Sequence, residues 1–210
     1  QINISADSNV YIGLFGYNEG EIKNLGMVGG DITALSTDGN VYAGAIAGYA
    51  SRSITNCYNT GKVMAYCSNY YQAISYVGGI AGINYGAIEN CYNTGDIRAD
   101  AGSYYRATVE VGGICGYNVL GVADCYNTGY VTGAAAIHSA DHISSADTSK
   151  TTYAGGICGY NSSQSLVNCY YLNNIQKGVG SGTDKTTGCT EEKLKLQSTF
   201  LGFDFENVWE

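Results

Sequence analysis

The stretch Asn90-Cys91-Tyr92-Asn93-Thr94-Gly95 decides the reading of this chain, because it returns. It stands again at Asn56–Gly61, and at Asp124–Gly129 with only the first residue changed. A worn form begins at Asn168 as Asn-Cys-Tyr-Tyr-Leu-Asn. A second phrase ends eight residues before each of the first three copies: Gly44-Ala-Ile-Ala-Gly48, Gly78-Gly-Ile-Ala-Gly82 and Gly112-Gly-Ile-Cys-Gly116. A fourth copy of it, Gly155-Gly-Ile-Cys-Gly159, ends nine residues before Asn168. Self-similarity at a near-constant period marks an array of one structural unit.

Working outward, the last glycine of each second phrase falls at Gly16, Gly48, Gly82, Gly116 and Gly159, at intervals of 32, 34, 34 and 43. Five repeats follow. In the first, Leu25 stands where later repeats have Cys57, Cys91, Cys125 and Cys169, so that position reads as a small apolar environment. Each repeat holds short β-type segments, such as Tyr76–Gly82, Ile88–Asn93 and Ile97–Ala99, bounded by glycine or asparagine as strands bounded by turns are. Gly61, Gly95 and Gly129 are matched by Asn173 in the last repeat. Glycine and asparagine visit left-handed backbone most readily, so this position is expected to be a corner with positive φ.

One repeat per turn predicts an all-β fold: a right-handed parallel β-solenoid of about five turns with a C-terminal helix and strand cap. Like residues then stack about 4.8 Å apart and form side-chain ladders. Length differences fall after the third segment. The connection is short after Ala34, longer after Ala65 and Ala99, and runs from Ala134 to Thr152 after Gly133. These insertions are expected as loops on one edge, often the binding edge of a repeat protein, with Ala134–Thr152 the most mobile and dispensable for folding. The solenoid is assigned to residues 1–177. Residues 178–188 read as a polar linker, and Thr190–Gln197 as a short helix with Thr190 as N-cap. Phe200, Phe203, Phe205 and Trp209 are expected to cover the C-terminal end of the solenoid. The abrupt start at Gln1 and finish at Trp209-Glu210 read as a piece of a longer protein.

The phrases Val77–Gly82 and Asn90–Gly95, with the ending Gln197–Trp209, resemble GLUG-motif repeat proteins along nearly the whole chain. The resemblance implies a large secreted or surface-attached bacterial protein. That group includes adhesin-like proteins and the non-catalytic region of certain immunoglobulin-cleaving metallopeptidases. It implies no catalytic residues within the repeats.

Composition narrows the partners. The 210 residues include 30 Gly, 20 Tyr and no Pro, with a net charge of −8. An acidic surface argues against nucleic acid or an anionic membrane as partner. No apolar run is long enough to cross a bilayer, and no motif points to a cofactor. The expected partner is a host or cell-surface protein or glycan, met by a monomer. The cysteine spacings are repeat periods, with no Cys-x-x-Cys and no Cys/His cluster, so a zinc site is not expected. In-register cysteines on neighbouring turns hold Cβ atoms too far apart for easy bridging. The ladder of Cys57, Cys91, Cys125 and Cys169 is therefore expected to be buried and reduced.

Two tyrosine rows are the candidate binding residues. One is Tyr58, Tyr92, Tyr126 and Tyr170; the other is Tyr17, Tyr49, Tyr117 and Tyr160, broken by Ile83. An exposed row could stack on sugar rings or anchor a protein. Mutual packing of rings up a sheet face accounts for the same pattern and is preferred. Asn59, Asn93 and Asn127 read as a ladder satisfying corner backbone groups. His138 and His142 flank Asp141 at zinc-helix spacing, but the Glu of His-Glu-x-x-His is missing, so they are read as exposed residues. The acids Glu89, Asp96, Asp100, Glu110 and Asp124 sit at unequal repeat positions and form no local catalytic cluster. The alternative of a polysaccharide-cleaving β-helix is weakened by this and stays open.

Overall fold

The computed structural model describes residues 1–138, 148–163, 165–174 and 177–209, and these wind as a parallel β-solenoid. Each coil gives one strand to each of five parallel sheets. The first sheet stacks Ile2–Ala6, Asp31–Ser36, Lys62–Asn69, Ile97–Ser103 and Val131–Ile137. In the third coil the chain then passes through Gln72–Gly78, Ala81–Asn84, Ala87–Glu89 and Tyr92–Asn93, which belong to the second to fifth sheets. Register is set by like residues: Val63 lies between Ile32 and Ile97, and Tyr92 between Tyr58 and Tyr126.

Five strands per coil replace the three expected. The segment Ile88–Asn93 is broken at Asn90, whose φ is 53°. The same corner recurs at Asn24, Asn56, Asp124 and Asn168, with φ between 50° and 57°. These are the residue types that tolerate left-handed backbone best after glycine, because their short polar side chains bond locally. The corner with positive φ is therefore the first residue of the phrase. Gly61, Gly95 and Gly129 are absent from the positive-φ positions. Gly95 is required by close approach instead: a Cβ there would overlap the Gly61 carbonyl of the coil below. Gly95→Ala is expected to cost about 2 kcal/mol by forcing coils apart, while Asn90→Gly costs under about 1 kcal/mol. Urea unfolding of both variants checks this. Equal losses would mean that backbone conformation, and not space, governs the corner.

The expected insertions are mostly longer strands. Residues 65–69 and 72–76 extend the first and second sheets in step, and only the tip at Tyr70 and Tyr71 turns between them. In the fifth coil, Ala134–Ile137 and Ser149–Thr152 likewise continue strands and are not loop. Along Lys62–Asn69, burial alternates: Val63, Ala65 and Cys67 point inward, while Met64 and Tyr66 are exposed. The inward residues meet Ala73 and Val77 across the arm, so each lengthened turn carries its own slice of core. A second core lies among the other three sheets, built from Ile46, Ile80, Ile114 and Ile157 with Ile54, Ile88 and the cysteine ladder. Leu25 packs against it at the cysteine position, as expected.

The carboxyl end differs from expectation. Residues 178–188 are not a linker: Val179–Gly182 and Thr187–Cys189 pair with the fifth coil as strands of a partial sixth. They cover the edge that the aromatic tail was expected to cover. The helix does form, over Glu191–Leu194, with the Thr190 hydroxyl accepting from the Lys193 amide.

Candidate functional site

The ladders along the coils show what most of the repeated residues do. Asn59, Asn93 and Asn127 are fully buried. The Asn59 amide donates to Asn93 Oδ1 at 2.7 Å, and Asn93 donates to Asn127 at 2.7 Å. Each side chain also bonds the glycine two residues on, through both its N–H and its C=O. This ladder holds the corner, as the sequence suggested. A second one, Asn84, Asn118 and Asn161, was missed, although each residue stands two after the last glycine of its repeat. In the cysteine ladder each thiol donates to the carbonyl two residues earlier, as Cys91 does to Glu89 at 3.2 Å. Burial pushes the Cys169 thiol up to about 12, which leaves it unreactive at neutral pH. All eight cysteines are buried, Cys67 and Cys189 included.

The first tyrosine row stacks nearly parallel, with Tyr58–Tyr92 centroids 5.0 Å apart and Tyr92–Tyr126 5.1 Å apart. It is not an open binding row. Trp209 tilts onto Tyr92 and Tyr126, while Phe200 meets Tyr126 and Tyr170. The Tyr170 hydroxyl accepts from the Leu201 amide at 2.9 Å. The tail thus straps the side of the solenoid and not its end, and a partly open pocket of about 780 Å³ lies between it and the fifth sheet. Truncation after Cys189 is expected to leave the coils folded, with rings of the row newly exposed and dye binding raised several-fold. Loss of cooperative unfolding in that variant would show that the strap is part of the fold.

The second row is interrupted as read: Tyr17 stacks on Tyr49 at 4.5 Å and Tyr117 on Tyr160 at 5.2 Å, with Ile83 in register between Tyr49 and Tyr117. Beside it runs a third row that sequence reasoning missed: Tyr11, Tyr42, Tyr76, Glu110 and Tyr153. Glu110 replaces a tyrosine. Tyr76 and Tyr153, which flank it in register, meet Tyr117 and Tyr160 edge-on or tilted. Glu110 is 7% exposed, and its Oε2 has no hydrogen-bond partner among the described residues. Burial raises its pKa to about 8.

The most open aromatic group lies elsewhere, on the tips of the lengthened arm. Tyr70 and Tyr71 meet edge-on at 5.0 Å in the third coil; Tyr70 tilts on Tyr104 at 5.1 Å, and Tyr71 stacks on Tyr105 at 5.6 Å in the fourth. Tyr71 is 69% exposed and Tyr70 42%. A groove of about 330 Å³ opens beside them on the outer face of the first sheet. Gly102 is in its floor, with Tyr66, Tyr70, Tyr104 and His138 around it. The signal was present in the sequence: Asn69-Tyr-Tyr and Ser103-Tyr-Tyr recur one period apart. His138 is exposed and packs at 5.5 Å from Tyr104. Asp141 and His142 lie outside the described residues. Among the described residues no three His, Cys, Asp or Glu side chains gather as a metal site.

The GLUG motif model matches residues 39–64 and again 73–98. This chain carries GLUG repeats. Each match begins at the second sheet of one coil and ends on the first strand of the next, so the motif is one coil of the solenoid. The register extends the same unit to the first, fourth and fifth coils. The arm tip between the matches, residues 65–72, lies outside the motif. Comparison with curated proteins and with solved structures finds no match. Among the described residues no helix is long and apolar enough to cross a membrane.

Proposed function

We infer that this GLUG-repeat solenoid is a non-catalytic binding module of a secreted or surface-attached bacterial protein, adhesin-like in role and acting as a monomer. One observation carries the reading. The repeated residues are largely consumed in holding coils together, while the cluster of Tyr70, Tyr71, Tyr104 and Tyr105 and the groove beside it sit on the arm, outside the two matched stretches. A frame with variable, aromatic-bearing tips is how repeat proteins present binding residues. The stacked coils also make a stiff spacer, a second role that the same geometry supports.

The test is binding without turnover. The purified chain is applied to a panel of polysaccharides, mucins and matrix proteins. Retention with no new reducing ends or peptide fragments is the expected result. Release of oligosaccharide would overturn the non-catalytic reading, and surface labelling of intact bacteria with an antibody to this chain tests its location.

A further inference from the structure

We propose that the groove on the outer face of the first sheet is a subsite for neutral sugar rings of a glycan. The proposal rests on the binding reading above and names its ligand class. The groove crosses four coils: Thr37 comes from the second, Tyr66, Ser68 and Tyr70 from the third, Gly102 and Tyr104 from the fourth, and His138 follows the first-sheet strand of the fifth. Its volume of about 330 Å³ is at the small end of ligand sites.

Gly102 lets two polar side chains close in. A Cβ there would stand 2.6 Å from His138 Nε2 and 3.3 Å from the Tyr66 hydroxyl. The imidazole and the Tyr66 hydroxyl therefore pack against this glycine, in space that any other residue's side chain would need. Tyr66 is 39% exposed, and His138 is exposed as well. An aromatic ring bears an apolar face and, in tyrosine, a polar tip. That pairing suits a pyranose, which has apolar C–H faces and a rim of hydroxyls. The imidazole, the Ser68 hydroxyl and the tyrosine hydroxyls supply donors and acceptors for the rim.

Two observations select this class over others. Among the described residues the lining carries no carboxylate, Lys or Arg, and the chain has a net charge of −8, so sialylated or sulfated sugars find no described cation and meet an acidic molecule. A peptide that binds by adding a strand needs a free sheet edge for its backbone. Here the strand that bears Tyr66 is paired on both sides, with Asp31–Ser36 and Ile97–Ser103.

The experiment uses the full chain on immobilised neutral oligosaccharides of hexose and N-acetylhexosamine, with sialylated forms and a proline-rich peptide in parallel. Binding of a neutral glycan is expected. Tyr66→Ala and Gly102→Leu each weaken it at least tenfold, while Tyr130→Ala, at another exposed site, leaves it unchanged. Thermal unfolding of each variant establishes that the fold is kept, and shifts of the His138 imidazole NMR signals on titration place the sugar independently of any variant. Neutral-glycan binding that both groove variants leave untouched overturns this site but not the binding module. Preference for sialylated glycan or for the peptide overturns the ligand class. Binding to no surface or ligand of any kind overturns both readings together.

Discussion

Raising the pH from about 5 to about 9 is expected to destabilise the fold by about 4 kcal/mol through Glu110 alone. The carboxyl sits in a tyrosine row between Tyr76 and Tyr153, and burial lifts its pKa from 4.5 to about 8. The folded chain thus keeps a proton that the unfolded chain gives up between these values. Where the folded state binds more protons, stability falls as pH rises. The contribution is complete below pH 4.5 and is lost as pH passes through about 8. Glu110→Gln keeps the shape, cannot ionise, and removes this component of the pH dependence. Urea midpoints of both proteins across this range are the measurement. A variant whose stability falls as steeply as that of the native chain would show that Glu110 is not the group responsible. Glu110→Tyr completes the row and is expected to behave like the Gln variant, since the neighbouring positions already accept that ring.

Asn93→Leu is expected to cost about 4 kcal/mol, the other large effect. Asn93 is fully buried, donates to Asn127 and to the Gly95 carbonyl at 2.7 Å each, and accepts from Asn59 and from the Gly95 amide. Leucine of nearly the same volume would make none of these bonds. The Gly95 amide and carbonyl would lose their side-chain partner, and both neighbouring asparagines would lose a rung. Each buried polar group left unmade costs about 1–3 kcal/mol. Asn93→Asp is the informative companion, because it can accept but not donate. Calorimetry should place it between the native chain and the leucine variant. A leucine variant within 1 kcal/mol of the native chain would mean that apolar packing, not the amide ladder, holds the corner.

The repeat spacing by itself determined the fold class, the register and the identity of most ladders. This follows from the solenoid's geometry: a residue meets its own counterpart one period away, so sequence periodicity is spatial neighbourhood. Cys91 above Cys57 and Tyr92 above Tyr58 needed no tertiary information. The helix after Thr190 was legible too, because its cap is local. The corners were half legible. Glycine at position 95 could serve either positive φ or close approach, and only the stacked Gly61 carbonyl decides for the second. The candidate site was the least legible. Which tyrosines face solvent depends on where the tail lies, and the tail returns along the coils to cover Tyr92 and Tyr126. The length differences read as loops because strand pairing between distant coils leaves no local mark. Tertiary structure alone extends them into an arm, brings Tyr66, Gly102 and His138 from three coils to one groove, and closes tyrosines over Glu110.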